Sequence, residues 1–228
     1  MDNKVIPVAI IALVLGLGIG TVVGGSMGMD EEQGTMTPTT QQQMTPADVA
    51  VAPAADLRVG LNSLLKEHVN LGLETLRAAH DGDDSFDGAF AALDANSIAI
   101  SQAVGSVYGD EAGEQFLGLW REHIGFFADY TVGLATDDEA KQTQAVNDLR
   151  GYAARSATFF STANPNLDEA AIEMAVNHHV DHLAEAMAAY NAGNFEESFE
   201  LGREGTEQMS NIANVLTTGI VTQFPNQF

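Results

Sequence analysis

The chain has 228 residues, with 32 Asp plus Glu against 9 Lys plus Arg for a formal charge of -23, and it contains no Cys. A surface this negative repels phosphate backbones and anionic lipid heads, which argues against nucleic acid as a partner. The missing thiols exclude disulfides, thiolate metal sites, covalently attached haem and a lipidated-cysteine anchor, so a packed core must hold the fold together unaided.

The first element is a run of 21 residues without a charge, Val5 to Gly25. At about 1.5 Å of rise per residue it matches a hydrocarbon core of about 30 Å. Lys4 and the α-amino group precede it, and Asp30, Glu31 and Glu32 follow. That polarity predicts a single-pass membrane anchor over residues 1–26, with the remainder outside the cytoplasm, or a secreted protein if the segment is cleaved as a signal peptide. The membrane is thus an expected partner. Gly16, Gly20 and Gly24 recur at the spacing that lets two spans approach closely, although Gly is common in membrane helices generally. Residues 27–55 are rich in Thr, Gln, Pro, Met and Ala and lack apolar periodicity, as expected of a flexible spacer. Met27, Met29, Met36 and Met44 lie in it, either as soft thioether ligands suited to Cu(I) or as inert filler.

Beyond residue 55 the apolar residues fall at helical spacing. Turn and capping residues cut the chain into six predicted helices, at about 56–80, 85–106, 110–135, 138–162, 167–191 and 195–222. Leu57, Leu61, Leu64, Leu65, Leu71 and Leu76 form an apolar stripe on the first; Phe116, Leu119, Trp120, Ile124, Phe127 and Tyr130 do so on the third. The expected fold class is all-α: a six-helix bundle over residues 56–228, built from three helical-hairpin repeats.

The repeat carries the chemistry. Glu67-His68-Val69, Glu122-His123-Ile124 and His178-His179-Val180 recur at intervals of 55 and 56 residues, mid-helix in the odd-numbered segments. A turn follows each about 14 residues later, so each repeat is an antiparallel hairpin, and a residue about 28 positions on returns to the height of the His. Asn96, Tyr152 and Met209 fall near those positions. Stacked hairpins would bring His68, His123 and His179 into one interior layer. Neutral imidazoles on facing helices suit copper or zinc. His182, one turn after His179, and the Met209 thioether complete the candidate ligand set, with Glu67 and Glu122 as acceptors that would orient the rings. Protons would compete with the ion near pH 6, around the usual imidazole pKa of about 6.5. The alternative is that the histidines are core residues, hydrogen-bonded to Asn96 or Tyr152 and kept for packing.

Leu64-Leu65-Lys66-Glu67-His68-Val69, Trp120-Arg121-Glu122-His123-Ile124 and the ending Gln223-Phe224-Pro225 resemble a family of helical envelope proteins, some members of which are labelled copper amine oxidase-like. The resemblance covers residues 56–228 and implies a secreted or anchored helical domain with no established reaction. The Asn-Tyr-Asp/Glu motif of true copper amine oxidases is absent, so no catalytic residue is carried over. No His has a Glu three residues before it, which disfavours a di-iron bundle. Asp81, Asp83, Ser85 and Asp87 imitate half of a calcium loop, but Phe86 and Ala92 stand where Gly and Glu are needed. Phosphate loops, nucleophile elbows and His-Glu-x-x-His helices do not occur. The sequence therefore predicts no enzyme. It predicts an anchored extracytoplasmic protein that binds a metal ion or a protein partner, or else a structural and interaction module without metal.

Overall fold

The computed structural model describes residues 46–228, with side chains from Pro53 onward. Six helices make up this part: α1 Pro46–Asp81, α2 Phe86–Tyr108, α3 Asp110–Ala135, α4 Glu139–Ala163, α5 Glu169–Asn191 and α6 Phe195–Gln223. No strand occurs among the described residues. The boundaries fall within two residues of those expected, except the start of α1. That helix begins at Pro46 and runs through Pro53, taking in the end of the stretch read as spacer. Pro46 stands at the first position, where the missing N–H would be unpaired anyway. Pro53 does remove one ladder bond, which is why the sequence pattern points to a later start. The anchor at 1–26 and the spacer up to residue 45 lie outside the described residues. No described helix is long and apolar enough to cross a membrane.

Local chemistry sets the breaks. Asp138 and Asp168 cap α4 and α5, their carboxylates accepting the N–H of Lys141 at 3.0 Å and of Ala171 at 2.8 Å. A single residue, Gly109, joins α2 to α3 with φ of 95°, a backbone that side-chain-bearing residues rarely adopt. Just beyond it the two helices close up, and the Ser101 hydroxyl donates to the Gly113 carbonyl at 2.9 Å. At the α4–α5 turn, fully buried Asn164 donates from its side chain to the Tyr108 hydroxyl at 3.1 Å and accepts the Asn166 N–H at 3.0 Å.

Short connections make consecutive helices antiparallel neighbours. Each packs on the next, and α6 returns to α1, so the six close into a ring. The odd helices α1, α3 and α5 also touch one another across the centre. One hydrophobic cluster fills that centre, with Val69, Leu149, Met187 and Ala213 wholly excluded from solvent. The ring is what positions the site. Three equivalent mid-helix positions on α1, α3 and α5 face the common axis, and histidine occupies all three.

Candidate metal centre

His68, His123 and His179 are 3 %, 1 % and 6 % exposed. Each offers one ring nitrogen to a group whose atoms all lie within 4.8 Å of one another. The Nε2 atoms of His68 and His123 are 3.2 Å apart. A tetrahedral ion about 2.0–2.1 Å from each nitrogen holds its donors about 3.3 Å apart. The closest pair already meets that spacing, and the others need to close by about 1.5 Å at most. An aromatic collar holds the rings. Tyr152 stacks on His123 with centroids 4.6 Å apart and planes 21° apart, while Trp120 lies 4.6 Å from His68 and 4.7 Å from His123. Phe127 meets His179 edge-on at 6.3 Å.

Burial decides the charge of the layer. Desolvation holds His68 well below the ordinary imidazole pKa, and the neighbouring His123 and His179 push in the same direction. It lowers His123 to about 3, with His179 adding to the shift and the Trp120 carbonyl opposing it. His179 falls to about 4, again through burial first and then the nearby His182. All three rings are therefore neutral near pH 7, the form that ligates metals. The expectation that protons compete near pH 6 needs correction, because burial holds the pKa of His123 at about 3 and that of His179 at about 4 and lowers that of His68 in the same direction.

The rings have only part of the pairing that a packing role requires, since His68 and His123 share one hydrogen bond between their Nε2 atoms. The Nδ1 atoms of all three are buried without a hydrogen bond of good geometry, and His179 has none at Nε2 either. Asn96 does not reach a histidine; its amide donates to the Leu64 carbonyl at 3.0 Å and to Glu67 at 2.8 Å. Tyr152 offers His123 its ring face. A buried polar atom left unpaired costs about 1–3 kcal/mol, and His179, unpaired at both nitrogens, has a ring nitrogen free to take an ion.

The remaining sequence candidates divide. Met209, 2 % exposed, lines the same apolar cavity of about 80 Å³ as His123 and His179. His182 lies outside the close group. It is half-buried, and its Cβ packs toward Gly205 of α6. Glu67 and Glu122 do not orient the rings as expected, since both sit on outward faces, Glu67 accepting from Asn96 and Glu122 from Arg155 at 2.7 Å. The Asp81–Asp87 cluster acts as a helix start, with the Asp83 carboxylate accepting the Ser85 N–H at 2.7 Å. Sequence reasoning missed the part played by Trp120. The signal was present in the helical period, because Trp120 precedes His123 by three residues, which puts it on the face of that histidine.

Comparison of the chain with family models, with curated proteins and with solved structures returns no match.

Proposed function

We propose that this chain is a non-catalytic binding protein that holds one copper or zinc ion on His68, His123 and His179, in a helical domain displayed outside the cytoplasm by an N-terminal membrane anchor. The observation that carries the metal reading is the convergence of three buried imidazoles, with ligand atoms within 4.8 Å of one another, at one height of the bundle. Their neutrality supports it, as does the lack of a hydrogen-bond partner at either nitrogen of His179. The anchor rests on the uncharged run from Val5 to Gly25 and on the acidic residues that follow it. The sequence supplies no motif on which an enzymatic reading could stand.

Dialysis of the full-length protein in detergent against Cu(II) or Zn(II), followed by elemental analysis, should find one ion per chain. His123→Ala and His179→Gln should each abolish tight uptake with helix content nearly unchanged by circular dichroism, whereas His182→Ala should retain it. Wild-type protein that takes up neither ion, together with a His123→Ala variant that only melts earlier, would make the layer a packing device and the domain an interaction module. The anchor is tested separately: the protein should fractionate with membranes and its helical domain should be cut by external protease.

A further inference from the structure

A second cavity, of about 230 Å³, lies against the same layer, and His68 and His123 line it. Its walls include Leu76, Leu93, Phe127 and Leu183, each less than 6 % exposed. Phe90, 46 % exposed, and the Asp94–Arg121 pair stand where it meets solvent. An apolar cavity of about 150 Å³ is enough to take up benzene, so the chamber has room for a small molecule beside the rings.

We propose that the ion keeps one coordination position open to this chamber, and that the chamber admits a small uncharged molecule, of the size and polarity of a diatomic gas, to it. The inference rests on the metal reading given above. Four arguments support it.

The first is the donor count. The close group consists of three imidazoles and no carboxylate, and three protein ligands on an ion that prefers four leave a place for an outside molecule. Met209, the remaining soft donor, lines the cavity of about 80 Å³ together with His123 and His179 and is absent from the lining of this chamber.

The second is Gly72. It is buried, stands in the middle of α1 one turn after His68, and lines the chamber. A Cβ built there meets nothing within 4 Å. Glycine at such a position weakens a helix by about 1 kcal/mol relative to alanine, and neither a close approach nor an unusual backbone requires it here. What its missing side chain does is keep space open beside His68.

The third is charge. Asp94 and Arg121 neutralise each other through two bonds, of 2.7 and 2.9 Å, so the mouth offers no net charge to an ion. The chain's formal charge of -23 further repels anions. An uncharged guest meets neither obstacle, and the apolar walls suit it.

The fourth is the charge of the ion itself. Three neutral imidazoles hold Zn(II) as well as copper, but Cu(I) brings the smaller charge into the apolar centre and so carries the lower desolvation cost. Carbon monoxide is a ligand for Cu(I) and serves as the probe.

Full-length protein in detergent, loaded anaerobically with Cu(I), should bind one carbon monoxide per copper, read from the infrared C–O stretch. Gly72→Leu, which places an isobutyl group in the chamber, should keep the copper stoichiometry and weaken carbon monoxide binding at least tenfold. Gly72→Ala should keep both. Leu93→Phe fills the chamber from α2 and provides the same test should Gly72→Leu fail to fold. Copper-loaded wild type that forms no carbonyl would overturn the open position while leaving the metal reading intact. So would uptake of Zn(II) but not Cu(I). Undiminished carbonyl formation in the filled variants would remove the chamber from the argument, and failure to take up any metal would end both proposals.

Discussion

His179 is where a metal-ligand role and a packing role differ most, because neither of its ring nitrogens has a hydrogen-bond partner. Its proton affinity offers a direct readout. In the unfolded chain its pKa is about 6.5, whereas burial lowers it to about 4 in the fold. Between those values the unfolded state binds the proton and the folded state does not, so stability falls as pH falls. The contribution is fully present above about pH 6.5 and is lost progressively toward pH 4. His123, lowered to about 3, acts in the same sense. Near pH 5 each such ring should contribute a slope of about 1.4 kcal/mol per pH unit. Denaturant unfolding of the metal-free protein between pH 6.5 and 4.5 should therefore show a slope shallower by about that amount in His179→Leu than in wild type. Equal slopes would mean the ring is not desolvated as described. His80 has the opposite sign. Burial alone would lower its pKa, but its bonds to Asn191 and Asp81, both 2.8 Å, outweigh burial and raise it. Its contribution is thus present at low pH and lost as pH rises through the raised value, so it partly masks the acid-side loss and should be held constant in the comparison.

Two glycines, one on α1 and one on α6, contrast in what they are for. Gly72 of α1 has open space around a would-be Cβ, whereas a Cβ on Gly219 of α6 would lie 2.4 Å from the Leu167 side chain. Replacing either with alanine improves helix propensity by about 1 kcal/mol. Gly72→Ala should realise that gain in a thermal melt. Gly219→Ala should instead lose about 1–3 kcal/mol, because Leu167 is 4 % exposed and has little room to move. Equal effects would show that the α4–α5 turn yields more readily than its packing suggests. Helix boundaries and the histidine layer were legible in the sequence because turn residues punctuate it and a 55-residue interval places each imidazole at mid-hairpin. What periodicity cannot supply is the rotation of each helix about its own axis. His179 and His182 differ by three positions, and a modest rotation decides which of them faces the centre. The same ambiguity misdirected Glu67 and Glu122, which the repeat carries along with the histidines but which point outward to Asn96 and Arg155. Gly72 was illegible for another reason, since a cavity depends on what the neighbouring helices leave unfilled.

At the scale of the whole molecule, a closed ring of helices with a neutral centre is wrapped in a strongly negative surface. Arg121, Lys141, Arg150, Arg155 and Arg203 each pair with a carboxylate. Those pairs are solvent-exposed and contribute about 0–1 kcal/mol apiece. With 32 acidic residues against 9 basic ones, repulsion among carboxylates outweighs them. Raising salt from 0.1 to 1 M shortens the screening length from about 10 Å to about 3 Å, which relieves that repulsion more than it weakens contacts made at hydrogen-bond distance. The melting temperature of the metal-free protein should accordingly rise by several degrees over that range in sodium chloride. Chloride is the salt to use, because sulfate would also strengthen apolar burial and confuse the cause. The same field attracts cations toward the bundle, so the association rate of Cu(II) or Zn(II) should fall over the same range. Stability and metal association then respond to salt with opposite signs, a pattern that a surface dominated by its ion pairs would not produce. A melting temperature that drops as salt is added would show that the pairs, not the unpaired excess of carboxylates, govern the surface.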